Sequence, residues 1–178
     1  MINKENIRIR IRKYDEESQN YLYGYINSKG EEIIAPQFES AGDFTDGLSA
    51  VGDEDKMGYI DINGNWVIEQ IYDDAGEFSE GLAPVLKDGK WGYIDSNGNT
   101  AIAHLFDSAF MFSDGVAEVS IDEKYGFINK AGEVVIPLQY DYADSQFPYN
   151  GYISMGADGE TVCYDISGKK IWPKENSL

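Results

Sequence analysis

Carboxylates are the most abundant chemistry-bearing groups in this sequence. Three clusters, Asp53-Glu54-Asp55, Asp73-Asp74 and Asp122-Glu123, have the residue types of a glycosidase acid pair. Two of them fall in turns between strands, where solvated charge is the ordinary finding. Asp61-Ile62-Asn63-Gly64-Asn65 and Asp95-Ser96-Asn97-Gly98-Asn99 have the composition of a calcium loop. An EF-hand, however, needs glycine sixth and a bidentate Glu twelfth. Here glycine comes fourth and the twelfth residues are Tyr72 and Phe106, so hairpin turns explain both segments. His104 is the one histidine and Cys163 the one cysteine, which excludes a two-imidazole mechanism, an intrachain disulfide and a Cys-based zinc site. No nucleophile motif accompanies His104 as a triad requires. It is expected in a strand-end slot with a structural or surface role. Cys163 is expected as a buried, unreactive thiol, since no basic neighbour would lower its pKa. No glycine-rich loop follows a strand and opens a helix, so nucleotide binding has no support. The reading is of a non-enzyme, with no catalytic residues, no cofactor and no metal.

Charge is the positive clue. The 178 residues carry 14 Lys plus Arg against 32 Asp plus Glu, a formal net charge of -18. Lys4, Arg8, Arg10, Arg12 and Lys13 concentrate positive charge at the start. From Tyr14 to Gly168 there are six lysines, no arginine and 30 acidic residues. Such a surface repels phosphates, so direct nucleic-acid binding is not expected, and it steers basic partners. No stretch approaches the roughly 20 apolar residues of a membrane span. Met1–Asn6 leads into alternating Ile and Arg without the apolar run of a signal peptide, so the cytoplasm is the expected compartment.

The elements that must position any site follow from a repeat. Gly24, Gly58, Gly92 and Gly126 stand 34 residues apart, each opening the phrase Gly-aromatic-Ile-Asn/Asp. A second glycine follows at Gly30, Gly64, Gly98 and Gly132. Then come Ile33-Ile34, Val67-Ile68, Ala101-Ile102 and Val135-Ile136, and after them Phe38, Tyr72, Phe106 and Tyr140, each followed by an acid. Phe44, Phe78 and Phe112 close three units with an acid-glycine pair. Markers that keep one period identify a repeat array.

Within each unit the pattern is β. Leu82–Leu86 is a short apolar run, Lys87-Asp88-Gly89-Lys90 a tight hairpin turn, and Trp91–Asp95 a returning strand. Ser96–Asn99 turns again into a strand through Ile102. The fold class is therefore all-β: tandem three-stranded antiparallel meanders of about 34 residues, roughly five units with degenerate terminal ones. The units fall near 7–46, 47–80, 81–114, 115–150 and 151–173, in a single domain with a 174–178 tail. About fifteen short strands are expected. The dozen residues between meanders have room for one helical turn. Ile7–Arg12 alternates as a half-buried strand, read with isoleucines inward and arginines outward. A curved array and a propeller-like ring both satisfy this pattern, and it specifies no oligomeric state. Gly92 is expected to serve special backbone geometry or close packing.

The phrase Gly-Leu-Ala-x-Val, Asp88-Gly89-Lys90-Trp91-Gly92-Tyr93-Ile94-Asp95, Gly98, an apolar pair, Tyr-Asp-x-Ala and Phe-Ser-Glu-Gly resembles the bacterial WG repeat. The similarity runs from about Ile7 to Pro173. The Trp-Gly pair itself stands only at Trp91-Gly92, with Tyr23, Met57 and Tyr125 replacing the tryptophan elsewhere. Pro36 fills a slot that Gln70, His104 and Leu138 take in later units. The resemblance implies an all-β repeat domain of bacterial origin, in a family of interaction modules without a shared catalytic site.

Two patches are candidate partner contacts. Trp66 stands where sister units carry Glu32, Thr100 and Val134, so the fold does not demand it. An exposed tryptophan beside Tyr72, Asp73 and Asp74 would anchor a partner. The second patch is Tyr142, Phe147, Tyr149 and Tyr152 in the irregular last unit. The expected function is a protein–protein interaction module with an acidic face for a basic partner. Its narrower form is an immunity- or antitoxin-type inhibitor of a basic toxin. A scaffold or regulatory repeat protein and a carbohydrate or cell-envelope binding module are the alternatives.

Overall fold

The computed structural model describes residues 7–173, and Met1–Asn6 and the 174–178 tail lie outside the described residues. Unit one comprises β1 (Ile9–Asp15), β2 (Asn20–Ile26) and β3 (Glu32–Phe38). Unit two comprises β4 (Ser40–Ala41), β5 (Leu48–Gly52), β6 (Met57–Asp61) and β7 (Trp66–Tyr72). Unit three comprises β8 (Asp74–Ala75), β9 (Leu82–Lys87), β10 (Lys90–Asp95) and β11 (Thr100–Phe106). Unit four comprises β12 (Ser108–Ala109), β13 (Val116–Ile121), β14 (Lys124–Asn129) and β15 (Val134–Tyr140). Unit five comprises β16 (Tyr142–Ala143), β17 (Tyr152–Ala157), β18 (Glu160–Asp165) and β19 (Lys170–Trp172). No helix occurs among the described residues.

The chain is all-β, built of tandem antiparallel meanders at the expected period. The crossing between meanders differs from expectation. It holds a two-residue strand rather than a helical turn, and that strand adds to the next sheet, as Asp74↔Leu86 and Ala75↔Val85 show. The first long strand of each later unit would otherwise leave an unpaired edge. Sheets two to five therefore have four strands. They begin at Ser40, Asp74, Ser108 and Tyr142, upstream of the breaks read from the acid-glycine pairs.

Asp88 and Gly89 both have positive φ (52° and 77°), the primed hairpin turn that Asp-Gly favours. Gly92 serves close packing. The third strand bulges opposite it, since Trp91 faces Phe106 while Tyr93 faces Ile102. A Cβ at Gly92 would stand 2.8 Å from the Ile102 carbonyl oxygen and 2.9 Å from the His104 Cα. His104 accordingly sits at a bulge inside β11, not at a strand end. Its Nε2 is buried without a hydrogen-bond partner. Burial, and then Lys87, hold its pKa below the usual histidine value.

Successive sheets bury their faces against each other. Tyr59, Ile68 and Tyr72 of unit two pack on Ala83, Val85 and Ile94 of unit three. Tyr93, Ile102 and Phe106 meet Ala117, Val119 and Ile128 in the same way. Buried tyrosines also bind the crossings. Tyr25, Tyr59 and Tyr93 donate their hydroxyls to the carbonyls of Gly42, Gly76 and Phe110 at 2.8, 2.8 and 2.7 Å. Each of the four apolar clusters bridges consecutive units, and among the described residues none joins the first unit to the last.

The first and last units reverse two expectations. Arg10 and Arg12 share a sheet face with Tyr25 and Tyr23, the face turned toward unit two. Arg10 bonds the Ala41 carbonyl, and Arg8 reaches the Ile62 carbonyl at 2.7 Å. The isoleucines take the other face, which no other described unit covers, and Ile9 is 47% exposed. Cys163 occupies the slot of buried Phe127, but among the described residues no unit follows to cover it, so it is half-buried.

Candidate functional site

Trp66 opens β7 and Tyr72 closes it, which sets them roughly 15–20 Å apart at about 3.3 Å per residue. The structure therefore does not bring Trp66 beside Tyr72, Asp73 and Asp74. Trp66 keeps 40% of its surface exposed and lays the rest edge-to-face on Phe38 of unit one, with ring centroids 6.0 Å apart. Tyr72 is a core residue, 4% exposed. Asp73 pairs with Lys56 and accepts the Asp88 backbone N–H at 2.9 Å. Both bonds favour its charged form, and the Lys56 bond foremost lowers its pKa. Asp74 is exposed and accepts the N–H of Ala75. Of the four, only Tyr72 is buried; Trp66 is exposed at the start of β7, and Asp73 and Asp74 are exposed past its far end.

The second patch also divides. Tyr149 and Tyr152 are exposed and flank one turn, exchanging backbone hydrogen bonds of 2.8 and 3.1 Å. Phe147 is half-buried in the crossing. Tyr142 stands elsewhere, pairing with Gly156 four residues along β17 from Tyr152. Its ring covers Gly156 so closely that a Cβ there would lie 2.1 Å from the Tyr142 Cζ.

Three hollows meet around Tyr125, the residue in the Trp91 slot of unit four. One is lined by Asp107, Asp122 and Glu123, a second by Lys124 and Asp141, a third by Tyr142 and Glu118. The β13–β14 hairpin supplies Asp122 and Glu123, both at positive φ (50° and 59°). Glu123 holds the position that Gly89 and Gly159 occupy in the neighbouring units. A side chain in that conformation costs roughly 1–2 kcal/mol. Asp107 Oδ2 accepts the Asp122 N–H at 2.8 Å, and Asp141 binds Lys124 at 2.6 Å.

The third hollow holds what the sequence reading passed over. Glu118 is 4% exposed, and its Oε2 finds no hydrogen-bond partner among the described residues. Burial raises its pKa to about 7. It pairs with Phe127 across β13 and β14, in a slot where units two, three and five place Ala50, Pro84 and Ser154 and unit one places Arg10. Phe127 replaces the tyrosine whose hydroxyl holds the crossing in units one to three. An acid in a slot that is small or neutral in units two, three and five, coinciding with that lost hydroxyl, was the signal available in the sequence.

The recessed acid, the aromatic at its mouth and the carboxylates on its rim form a site suited to holding cations. Among the described residues, no group of three or more His, Cys, Asp or Glu side chains is placed to hold a metal ion. None of the curated proteins compared with the chain matches it. The model of the WG containing repeat matches four times in succession, over residues 23–56, 57–91, 91–125 and 125–155. The matches run through the same meanders whose sheets stack here, and the chain belongs to the WG containing repeat family.

Proposed function

We propose that this protein is a non-enzymatic interaction module that takes a basic protein partner on the acidic groove around Tyr125. The observation that carries the reading is the convergence of Asp107, Asp122 and Glu123 on one exposed rim beside a half-buried tyrosine. Rim carboxylates raise the encounter rate with a basic surface, and an aromatic at the centre slows its release. The net charge of -18 supports the same reading. A small basic toxin held inactive by this face is its narrowest form.

The test compares capture from a bacterial lysate by the wild-type chain and by D122K/E123K, with E16K/E17K as control. Partners are identified by mass spectrometry after salt elution. Loss of basic proteins in D122K/E123K alone is the expected result. Equal capture by all three chains would remove the groove from the function.

A further inference from the structure

The rim does not explain Glu118. A solvated carboxylate on the edge would steer a basic partner equally well. Instead, unit four places its acid in a slot where units two, three and five carry Ala50, Pro84 and Ser154, and where the Arg10 of unit one has a carbonyl partner that Glu118 Oε2 lacks. An unpaired buried polar group costs stability, and a buried charge costs more unless a counter-charge joins it. No lysine or arginine of the described residues lines its hollow.

That hollow has a volume of about 310 Å³ and opens to the surface between units four and five. Tyr125 and Tyr142 line it, and aromatic rings of this kind attract an organic cation. Gln146 and Ser108 add neutral polar groups. The one other acid there, Asp141, is occupied: Oδ1 takes Lys124 and Oδ2 accepts the Asp158 N–H at 3.2 Å. Glu118 is thus the acid left without a counter-charge. The space beside it suits a slender cation with an apolar stem better than a hydrated metal ion, for which further anionic ligands are lacking.

We propose that this hollow is a lysine-tip pocket, in which the ammonium of one partner side chain reaches Glu118 while its alkyl stem lies against Tyr125 and Tyr142. The inference rests on the basic-partner reading and gives it an anchor point. Steering belongs to the rim, and retention to the pocket.

The test uses n-butylammonium, its neutral isostere n-butanol, and the blocked peptide acetyl-Gly-Lys-Gly-amide. Carboxyl ¹³C shifts of Glu118 provide the readout in the full chain. Butylammonium and the peptide should both give saturable shifts and compete with each other, while butanol gives none. The same titrations, followed on amide shifts of Tyr125 and Tyr142, should lose saturation in E118Q and in E118A. Alanine is what unit two carries in this slot, so E118A guards against a folding failure. No saturable shift, or an equal response to butanol, would overturn the pocket. Binding of butylammonium but not of the peptide would overturn a side chain as its source. If E118A still captures the basic proteins that D122K/E123K loses, the pocket fails while the groove stands.

Discussion

The Asp107 carboxylate accepts the backbone N–H of Asp122 at 2.8 Å, so an acid at the edge of one sheet holds the first hairpin of its own following meander. Glu39 does the same for Glu54, Asp73 for Asp88 and Asp141 for Asp158. Part of the acidity that reads as a binding face is therefore a folding device. It ties the start of each four-stranded sheet to the first hairpin of that sheet, between its two middle strands. Lysines answer three of these acids, at Lys56, Lys90 and Lys124.

Replacing Asp107 by Ala should lower the denaturation midpoint more than replacing Lys90 by Met. The first change removes both the turn N–H bond and the ion pair of one carboxylate, and the second removes only the exposed ion pair, which contributes little. The Lys90 bond and the Asp122 N–H hold the Asp107 pKa below its ordinary value. Its contribution is accordingly present above the ordinary aspartate range and is lost as pH falls through the lowered pKa. Urea titrations of D107A and K90M at pH 7 and at pH 3 check this, and equal midpoints at pH 7 would refute it.

Gly92→Ala should cost about 1–3 kcal/mol, because the new Cβ would press on backbone atoms that cannot swing aside. Gly89→Ala should cost about 1 kcal/mol, since there only the positive φ opposes it and the surrounding space is empty. Chemical denaturation of the two variants provides the comparison. A milder effect at Gly92 than at Gly89 would show that the bulge opposite Gly92 can relax.

The repeat was legible in the sequence because each marker answers a local need: glycine under a bulge, Asp-Gly in a primed turn, an aromatic between sheets. The two-residue strands were not, since Ser40-Ala41 or Asp74-Ala75 carries no β pattern and forms only against the next unit's edge. The facing of β1 was misread for a related reason. Alternation shows that Ile9 and Arg10 point to opposite sides, but which side is covered depends on which neighbour exists. Tyr72, Asp73 and Asp74 were drawn to Trp66 by sequence proximity that an extended strand undoes. Tyr125 and Glu118 lay hidden inside the repeat itself, as an ordinary-looking aromatic and one acid among 32 Asp plus Glu.

Glu123→Gly should stabilise the chain by about 0.5–1 kcal/mol. Relief of the left-handed backbone exceeds the extra freedom that glycine gives the unfolded state. The same change should slow association with a basic partner at low salt, since it deletes a rim charge. Thermal melts and stopped-flow association measure the two effects separately. A destabilised E123G would mean that the side chain makes a contact which offsets its strain.

Glu118 should give the protein a stability that declines as the solution turns alkaline. Its pKa in the folded chain is raised to about 7, against an ordinary value of 4.5, and the cause is burial. The folded state therefore holds this proton more tightly than the unfolded state. The sign follows: the contribution is complete below about pH 4.5 and is lost as pH rises through 7. The groups facing Glu118 are Tyr125, Asp141 and Tyr142 across the hollow and Tyr93 from unit three. Burial pushes the Tyr93 pKa up and the Lys124 bond holds the Asp141 pKa down, so neither reverses the slope. Glu118→Gln cannot ionise and should be more stable than the wild type by about 1–3 kcal/mol at pH 8.5, taking about 1.4 kcal/mol per pKa unit and allowing for the opening to solvent. The advantage should shrink to near zero at pH 4.5. Denaturant midpoints measured for both chains at half-unit intervals from pH 4.5 to 8.5 trace the difference. Two parallel curves would show that Glu118 is ionised in the folded chain at little cost, with the hollow already solvating it.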